Sequence, residues 1–467
     1  MEKLFLGIDC GLTSIKAVVF DRFGKLHRAS SKKNSVVDGM IDTRLLWEKV
    51  VFCIKQSVNG IEKQIAGISV CGHGNGLYFA VNGVPYEFGY SSMYNGATIS
   101  DERISDITLQ TVWAGQPLNI LRRIKNENEE LYRSISGIFF CKDYIRFMLT
   151  GVFATDYSDA TAAGLTNNND YRIDPRLFSL FGLNGAEKLI PKIYDSYENI
   201  GGTTEEIENL TGIKSGTPVA VGAFDVCGCI VGSGVKDESE YSIISGTWGI
   251  NGALSKMKIN DRRITQCCSF VDRTFNLCIE SSPTSCVNLE WLINNVCPYV
   301  DYGEILDITK MRTDLIYLPY IYPSMRYPDR KAEFVNLCIS HTYKDMVKAV
   351  LDGIVFGHRL QIEALKSVGL ERNGAVLSGG AANSSGWCQL FADILNTEIK
   401  TTEEKECGAL GAAIFAAVAS GEYGDIYSAQ NEMVRYKETF VPKNDYENEY
   451  KKFLEVLRRK NGSETKR

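Results

Sequence analysis

The 14 cysteines of the sequence include no Cys-x-x-Cys pair, the spacing used by many zinc sites and thiol redox motifs. They are scattered and stand mostly among apolar neighbours, as Cys267-Cys268 and Cys388 do. The sequence therefore shows no sign of a zinc site or a disulfide framework. It predicts reduced, mostly buried thiols.

Clusters of positive charge and long apolar runs are missing as well. The net charge is −6 and the basic residues are scattered outside a short tail, which argues against nucleic acid as the main ligand. The longest nearly uncharged stretch, residues 408–421, is too short to span a bilayer and predicts a buried helix. Because Asp9 precedes any apolar signal-peptide core, we expect no export, no membrane partner and a cytoplasmic location.

Low-complexity tracts and Pro-rich linkers are also absent. Hydrophobic residues make up 44% of the chain and charged residues 23%, which is the range of ordinary globular proteins. At 467 residues the chain exceeds what one core usually supports. We therefore expect two domains.

The two common glycine-rich nucleotide motifs, Gly-x4-Gly-Lys-Ser/Thr and a strand-to-helix Gly-x-Gly-x-x-Gly, do not occur, which excludes P-loop and Rossmann sites of the usual kind. Three other glycine-rich segments are present, at residues 7–16, 245–249 and 378–386. The first two follow short apolar strands and predict tight turns whose amides can face an anion. The third joins a strand to a helix and predicts close approach of the backbone to a ligand. Together they suggest a phosphotransferase.

The order of predicted elements is that of an α/β protein. The apolar pattern predicts strands at residues 4–8, 15–20, 65–70, 218–225 and 374–378, and helices at 43–57, 343–366 and 387–395. Residue 243 opens what resembles a second copy of the starting hairpin. This repeat places the domain boundary near residue 240.

Eight stretches occur in an order typical of one family: Gly7-Ile-Asp-Cys-Gly11, residues 68–78, 110–117, 155–160 and 222–226, Ser245-Gly-Thr-Trp248, residues 282–285 with 288–291, and Gly379-Gly-Ala-Ala-Asn-Ser384. On these stretches the chain resembles the FGGY carbohydrate kinases nearly from end to end. Within that family it is most similar to the bacterial L-xylulose kinases.

The resemblance implies an α/β fold of the two-domain, actin-like ATPase type, with a duplicated ribonuclease-H-like core and an interdomain cleft. Residues 1–240 would form the N-terminal domain, which holds the sugar and the first phosphate loop. Residues 241–467 would form the C-terminal, nucleotide-binding domain. The resemblance also implies ATP and Mg²⁺ as cofactors and, because relatives are often dimers, a homodimer.

The family's catalytic roles fall on two aspartates. Asp225 would be the general base that takes a proton from the sugar hydroxyl as it attacks the γ-phosphate, although a helix N-cap is the structural alternative. Asp9 would help to hold magnesium, usually through water. The remaining nucleotide contacts implied by the resemblance are Gly11, Thr13, Ser14, Lys16, Gly246, Thr247, Gly379, Gly380 and Asn383. For Lys16, a solvated strand residue is an equally good interpretation.

For the sugar, the resemblance implies contacts from His73 and Asn75 and from Trp113 and Gln116, and an aromatic face suits the C–H surface of a sugar. A structural role is the alternative for His73. Many relatives carry an Asp and an Arg where this chain has Met93 and Asn95. Loss of these strong hydrogen-bonding groups indicates that the recognised hydroxyl pattern differs here.

These observations predict an ATP-dependent kinase of a small ketose or polyol, with a pentulose such as L-xylulose as the first choice. A kinase of erythritol, glycerol, D-xylulose or ribulose is one alternative. Met93 and Asn95 motivate another, a catalytically silent regulator that binds sugar or nucleotide. An actin- or chaperone-like ATPase would lack the sugar motif around His73.

Overall fold

The computed structural model describes residues 2–99, 101–322, 324 and 326–459. They form two compact units, each assembled from segments that are distant in the sequence. The first unit comprises the residues up to Lys236, Leu254–Cys278 and Glu406–Arg435. The second comprises Asp237–Ala253, Ile279–Lys405 and the residues from Tyr436 onward. The assignment of 1–240 and 241–467 as the two functional domains stays a prediction.

The first unit contains most of the described strands and helices. Its strands are Leu4–Cys10, Ser14–Asp21, Leu26–Lys33, Met40–Asp42, Ile65–Gly72, Tyr78–Val81, Val84–Pro85, Phe88–Tyr90, Ile135–Phe139, Thr155–Asp156, Ile193–Tyr194, Asn199–Gly202, Pro218–Ala220, Ala223–Phe224 and Gln266–Ser269. Its α-helices are Thr43–Val58, Glu102–Thr108, Pro117–Glu127, Glu129–Ser134, Cys141–Thr150, Tyr157–Ala162, Pro175–Leu180, Glu205–Thr211, Asp225–Ser233, Cys407–Ala419 and Ile426–Met433, and its 3-10 helices are Glu62–Gln64 and Ala186–Leu189.

The second unit is built around a sheet and one long helix. Its strands are Glu240–Ser245, Ile316–Leu318, Glu333–Val335, Gly374–Ser378, Glu398–Thr402 and Tyr436–Phe440, and the strands Gly249–Ser255 and Asn276–Ser282 cross the boundary between the units. Its α-helices are Val287–Asn295, Tyr302–Ile308, Tyr343–Ser367, Ser385–Leu395 and Glu447–Arg459, with the 3-10 helix Gly380–Asn383.

The main sheet of the first unit starts from a hairpin. Leu4–Cys10 pairs antiparallel with Ser14–Asp21 and parallel with Ile65–Gly72. The short strand Ala223–Phe224 pairs parallel with the far end of Ile65–Gly72. Apolar side chains of Leu4–Cys10, Ser14–Asp21, Ile65–Gly72 and the Thr43–Val58 helix are buried together, so the predicted α/β arrangement of the first 72 residues is confirmed.

The predicted buried helix at residues 408–421 is also confirmed, as Cys407–Ala419, and its residues from Cys407 to Ala417 are all buried. It packs directly on the first strand: a Cβ at Gly7 would lie 1.9 Å from the carbonyl oxygen of Ala409. The interpretation of Gly7 as a turn glycine was therefore wrong, because Gly7 lies inside a strand and admits the helix backbone. In the described ranges, no helix has both the length and the apolar character needed to cross a membrane.

The second unit repeats the starting topology. Glu240–Ser245 and Gly249–Ser255 form an antiparallel hairpin, and Glu240–Ser245 pairs parallel with Gly374–Ser378. Gly374–Ser378 has the predicted bounds, and the long helix Tyr343–Ser367 ends one residue beyond its predicted end. The repeat of an antiparallel hairpin followed by a parallel strand agrees with a duplicated core.

Candidate active site

The first glycine-rich turn joins the strands Leu4–Cys10 and Ser14–Asp21. The main-chain N–H of Gly11 donates to the carbonyl oxygen of Ser14 at 3.0 Å. Asn34 braces the turn, because its side-chain amide donates to the carbonyl oxygen of Gly11 at 3.0 Å and its main-chain N–H to that of Thr13 at 2.9 Å. Thr13 is exposed and Ser14 partly exposed, so a ligand can reach both hydroxyls.

Three parallel strands bring polar side chains to one edge of the sheet. Cys10 lies opposite Gly72, and Gly72 lies opposite Phe224. Because the carboxyl ends of these strands coincide, the residues at or just after them share that edge: Asp9, His73 and Asp225. The main-chain N–H of His73 donates to the carbonyl oxygen of Cys10 at 2.9 Å, which ties two of these segments together.

Asp225 is the first residue of the helix Asp225–Ser233, and Phe224 occupies the N-cap position. One carboxylate oxygen of Asp225 accepts the N–H of Val226 at 2.8 Å. Burial raises the pKa of Asp225 to about 7, and the negative charge of Asp9 adds to the shift. Asp225 therefore exchanges its proton near neutral pH.

Asp9 lies opposite Lys16 in the hairpin. Burial raises the pKa of Asp9 to about 6, Lys16 opposes the shift and Glu406 adds to it. The carboxylate of Asp9 also lies where a Cβ at Gly408 would be, 2.5 Å from Oδ2. A larger residue than glycine at 408 would therefore push Asp9 out of position.

Glu406 was missed by the sequence analysis. It precedes the helix Cys407–Ala419, and one of its carboxylate oxygens lies 2.5 Å from the Nζ of Lys16. Both side chains are about one third exposed. Burial disfavours the charged ammonium, but the hydrogen bond to Glu406 outweighs it and the pKa of Lys16 is raised. The ion pair spans 390 residues of sequence, so no local pattern could have revealed it.

The donor set at this edge fits a hard divalent cation. Asp9 offers a carboxylate whose pKa is raised first by burial and then by the negative charge of Glu406, so a nearby cation would favour its ionised form. Carboxylate and water oxygens are the ligands that Mg²⁺ prefers. Within the described residues, the one cluster of three residues that could ligate a metal by themselves is Glu2, Asp21 and His27, so an ion at Asp9 would take most of its ligands from water and substrate.

His73 and Asn75 lie in the turn after the strand Ile65–Gly72 and are 2% and 6% exposed. The Nε2 of His73 lies 3.1 Å from the hydroxyl oxygen of Tyr78. The Nδ1 of His73 and the Oδ1 of Asn75 are buried and have no hydrogen-bond partner among the described residues. Buried polar atoms are rarely left unpaired in proteins, so these two atoms point to a polar ligand.

A second loop lies against this turn. The N–H of Gly76 donates to the carbonyl oxygen of Gly115 at 2.8 Å. Trp113 is half-buried in the same loop, whereas both polar atoms of the Gln116 side chain are used locally. The amide oxygen of Gln116 accepts from the N–H of Trp113 at 3.2 Å, and its Nε2 donates to the carbonyl oxygen of Thr111 at 3.4 Å. The structure thus gives Gln116 a role in shaping the loop.

The segment that departs from the family pattern borders the same loop. A Cβ at Gly115 would lie 2.0 Å from the carbonyl oxygen of Ser92, so the two segments touch. Met93 is 45% exposed. Asn95 is exposed, and its carbonyl oxygen accepts a hydrogen bond from Arg123 at 2.9 Å.

In the second unit, the two predicted nucleotide segments lie side by side. Ile244 is opposite Ser378 in parallel strands, so the turn that begins at Ser245 neighbours the turn at Gly379. Gly379 has φ +84°, and a Cβ there would lie 2.6 Å from the carbonyl oxygen of Ser245. The exposed residues of these turns are those predicted to contact nucleotide: Thr247, Gly380 and Asn383, with Gly246 partly exposed.

Comparison with known proteins places this arrangement in a family. Residues 4–81 and 94–232 match the N-terminal domain of the FGGY family of carbohydrate kinases, and residues 315–420 match its C-terminal domain. The chain belongs to the FGGY family of carbohydrate kinases. Such enzymes use ATP as the phosphate donor for a sugar.

Individual relatives cover the kinase from end to end. It is 28% identical over 477 residues to the L-xylulose/3-keto-L-gulonate kinase of Escherichia coli (strain K12), across 95% of this chain and 93% of that one. The gluconate kinase of Lactobacillus acidophilus has the same fold, with a TM-score of 0.85, 22% identity and coverage of 98% and 96%. The xylulose kinase of Rhodospirillum rubrum matches with a TM-score of 0.86 and 19% identity, across 97% of this chain and 98% of that one.

A buried ionic cluster supports the Asp225 segment of the kinase. The Nζ of Lys142 lies 2.6 Å from Asp143, 3.0 Å from Asp156 and 3.2 Å from Asp159, and all four side chains are fully buried. Asp156 accepts from the hydroxyl of Ser158 at 2.5 Å, and that hydroxyl oxygen accepts the N–H of Phe224 at 3.0 Å. The cluster therefore fixes the backbone immediately before Asp225.

A chain of polar side chains supports the Ser245 turn of the kinase in a similar way. The hydroxyl of Ser245 lies 3.0 Å from that of Ser285, which lies 3.1 Å from the Nε2 of His358. The Nδ1 of His358 lies 3.1 Å from the Oδ1 of Asn251. Burial lowers the pKa of His358 to about 3, so this histidine stays neutral. The sequence analysis did not identify His358, because its partners lie 73 and 107 residues away.

Proposed function

We infer that this carbohydrate kinase transfers the γ-phosphate of ATP to a hydroxyl of a pentulose such as L-xylulose, in the cytoplasm and with Mg²⁺. The observation that carries the proposal is the pair of buried, unpartnered polar atoms, His73 Nδ1 and Asn75 Oδ1, at the sheet edge that also presents Asp225. The similarity to the L-xylulose/3-keto-L-gulonate kinase of Escherichia coli supports a pentulose as the first substrate to test.

In this proposal the sugar binds over the turn at residues 73–76. His73 and Asn75 would each pair with a sugar hydroxyl, which removes the penalty of a buried unpaired polar group. Trp113 would cover an apolar face of the sugar. Gln116 would act indirectly by holding the Trp113 loop.

Asp225 would act as the general base. Its raised pKa of about 7 lies near the operating pH, where a base combines a useful ionised fraction with good proton affinity. The sugar hydroxyl would give its proton to Asp225 as its oxygen attacks the γ-phosphate. The ionic cluster below Phe224 would keep the carboxylate aligned.

The first turn would hold the transferring phosphate. The N–H groups and hydroxyls of Gly11, Thr13 and Ser14 would bind phosphoryl oxygens, and Lys16 would supply positive charge from a position set by Glu406. Asp9 would hold Mg²⁺, which neutralises phosphate charge during transfer. In the second unit, Gly246 and Thr247 would bind phosphate, and Gly379, Gly380 and Asn383 would bind adenosine.

The proposal is tested by ADP release from Mg-ATP with L-xylulose, D-xylulose, L-ribulose, D-ribulose, erythritol and glycerol. We expect L-xylulose to stimulate ADP release most strongly. Asp225→Asn, which keeps the shape and removes the base, should lower kcat by about 100-fold or more. For the native enzyme, kcat/KM should rise with pH through about 7 and then level off, because only the ionised carboxylate acts as a base.

Different outcomes separate the alternatives. If another sugar or polyol of the panel stimulates ADP release most strongly, the chain is still a kinase but its substrate is that compound. If no sugar stimulates ADP release while ATP still binds, the chain is a sugar- or nucleotide-binding regulator, as Met93 and Asn95 suggest. If Asp225→Asn retains full activity, Asp225 is not the base.

A further inference from the structure

Cys338 lies in the loop at residues 336–342, which joins the strand Glu333–Val335 to the helix Tyr343–Ser367. All 14 cysteines fall within the described part of the chain, and Cys338 is the one that is exposed. Its neighbour Ile339 is fully exposed. The thiol is therefore open to small molecules in solution.

The loop places an imidazole beside this thiol. The Nδ1 of His341 lies 3.4 Å from the Sγ of Cys338, and the Nε2 of His341 lies 2.8 Å from an oxygen of Asp314. The His341 side chain is only 6% exposed, so the ring is held in place. Cysteine, histidine and aspartate thus form a connected row, the arrangement that activates a nucleophilic thiol in enzymes.

Local structure explains why these residues meet. Ile316 pairs with Val335 in a two-stranded antiparallel sheet, which brings the residues before 316 close to those after 335. The side-chain amide of Asn336 donates to Asp314 at 2.8 Å, and Asn336 itself has φ +76°. This left-handed residue, a conformation that asparagine tolerates well, turns the chain so that the loop returns over Asp314.

The hydrogen bonds fix the tautomer of His341. Its Nδ1 accepts the main-chain N–H of Cys338 at 3.0 Å, so the neutral ring carries its proton on Nε2, facing Asp314. The same Nδ1 lies 3.4 Å from the sulfur of Cys338, so its lone pair is shared between the main-chain N–H and the thiol, and the thiol proton can move to it.

The charges around the loop favour this transfer. The hydrogen bond that the Nε2–H of His341 donates to Asp314 raises the pKa of His341 against the opposing effect of burial, and Cys338 and Asp345 add smaller contributions that also raise it. Hydrogen bonds from the hydroxyl of Ser340, 3.1 Å from the sulfur, and from the main chain of Ser340 lower the pKa of Cys338. His341 lowers it further, whereas burial and then Asp314 oppose the shift. A larger fraction of the thiol is therefore thiolate near neutral pH than in an ordinary cysteine.

We propose that Cys338 is a site of S-thiolation, which reacts with low-molecular-weight disulfides through the Cys338–His341–Asp314 row. The thiol proton moves to Nδ1 of His341, and the thiolate attacks one sulfur of the disulfide. The S–S bond of the small disulfide breaks, a mixed disulfide forms on Cys338, and the other sulfur leaves as a thiolate that receives the proton from His341. No other oxidant is needed.

The test uses the purified full-length protein, oxidised glutathione and intact-mass measurement with peptide mapping. We expect one adduct per chain, on Cys338, which Cys338→Ser abolishes. The matched control is Cys286→Ser, which removes a partly exposed cysteine of the same unit and should leave adduct formation unchanged. At pH 7, His341→Gln should slow the reaction about tenfold, and its rate should rise only at the higher pH of an ordinary thiol.

The pH profile separates activation from simple exposure. An exposed thiol without a base partner would react equally fast in the native protein and in His341→Gln, and that result would overturn the proposal. So would an adduct mapped to another cysteine. If His341→Gln does not fold, as judged by circular dichroism, Asp314→Asn supplies the same comparison, with slower reaction expected.

Discussion

At the scale of the residue, the carboxylates Asp9 and Asp225 are held where ionisation is unfavourable. Burial raises their pKa values to about 6 and about 7. A carboxyl group with a raised folded-state pKa favours folding below its unfolded pKa, and this contribution is lost as pH rises through the folded pKa. The contribution of Asp225 to the free energy of unfolding therefore falls as the pH rises from about 4 to about 7.

Replacing Asp225 by Asn should consequently stabilise the kinase at pH 8. One pKa unit corresponds to about 1.4 kcal/mol, and since the carboxylate is partly exposed we expect roughly 1–3 kcal/mol. Thermal unfolding should show a Tm that is about 2–4 °C higher at pH 8, with little change at pH 4.5. An equal effect at both pH values would mean that charge is not the cause.

Single residues also mark how far sequence reasoning reached. The sequence predicts Asp9, His73 and Asp225 as site residues, because each follows an apolar strand within a family motif, and the structure brings them to one edge. Glu406 and His358 were not named. Each contacts its partners across at least 73 residues of sequence. Such contacts depend on tertiary packing, which the hydrophobic periodicity of the sequence does not reveal.

At the scale of the element, the contact between the first strand and the helix Cys407–Ala419 depends on missing side chains. Gly7 and Gly67 face the helix, where an added Cβ would lie 1.9 Å from the carbonyl oxygen of Ala409 and 2.6 Å from that of Ala416. The apolar run at residues 408–421 predicts the buried helix, whereas the prediction that Gly7 lies in a turn was wrong. A glycine in a strand and a glycine in a turn look alike in sequence.

We expect Gly7→Ala to destabilise the kinase by about 1–3 kcal/mol, because the strand and helix must separate to admit the methyl group. Urea unfolding measures this loss. Gly11→Ala is the matched control, since a Cβ at Gly11 would have its nearest neighbour at 3.6 Å. Equal stability of the two variants would show that the close packing at Gly7 is not needed.

At the scale of the whole molecule, both units are discontinuous in sequence. The sequence predicted a boundary near residue 240 from the repeated hairpin, and the repeat is present. It could not predict that residues 406–435 belong to the first unit. The sequence of a buried, alanine-rich helix does not indicate which of the two sheets the helix packs against.

A fragment of residues 1–240 should therefore not fold alone, because it lacks the helix that covers Gly7 and Gly67. We expect it to be aggregated or to lack the sharp amide NMR signals of a native core. Supplying residues 254–278 and 406–435 by co-expression should recover soluble material. A well-dispersed spectrum from the fragment alone would show that the helix is dispensable.

The position of the helix Cys407–Ala419 in the sequence also affects folding during translation. A ribosome releases the first strand at the beginning of translation, but the helix that covers it emerges only near the end. The glycine-lined face must stay unpaired through most of elongation, with its apolar neighbours open to the wrong contacts. We therefore expect the nascent amino-terminal sheet to be prone to aggregation until the helix has been synthesised.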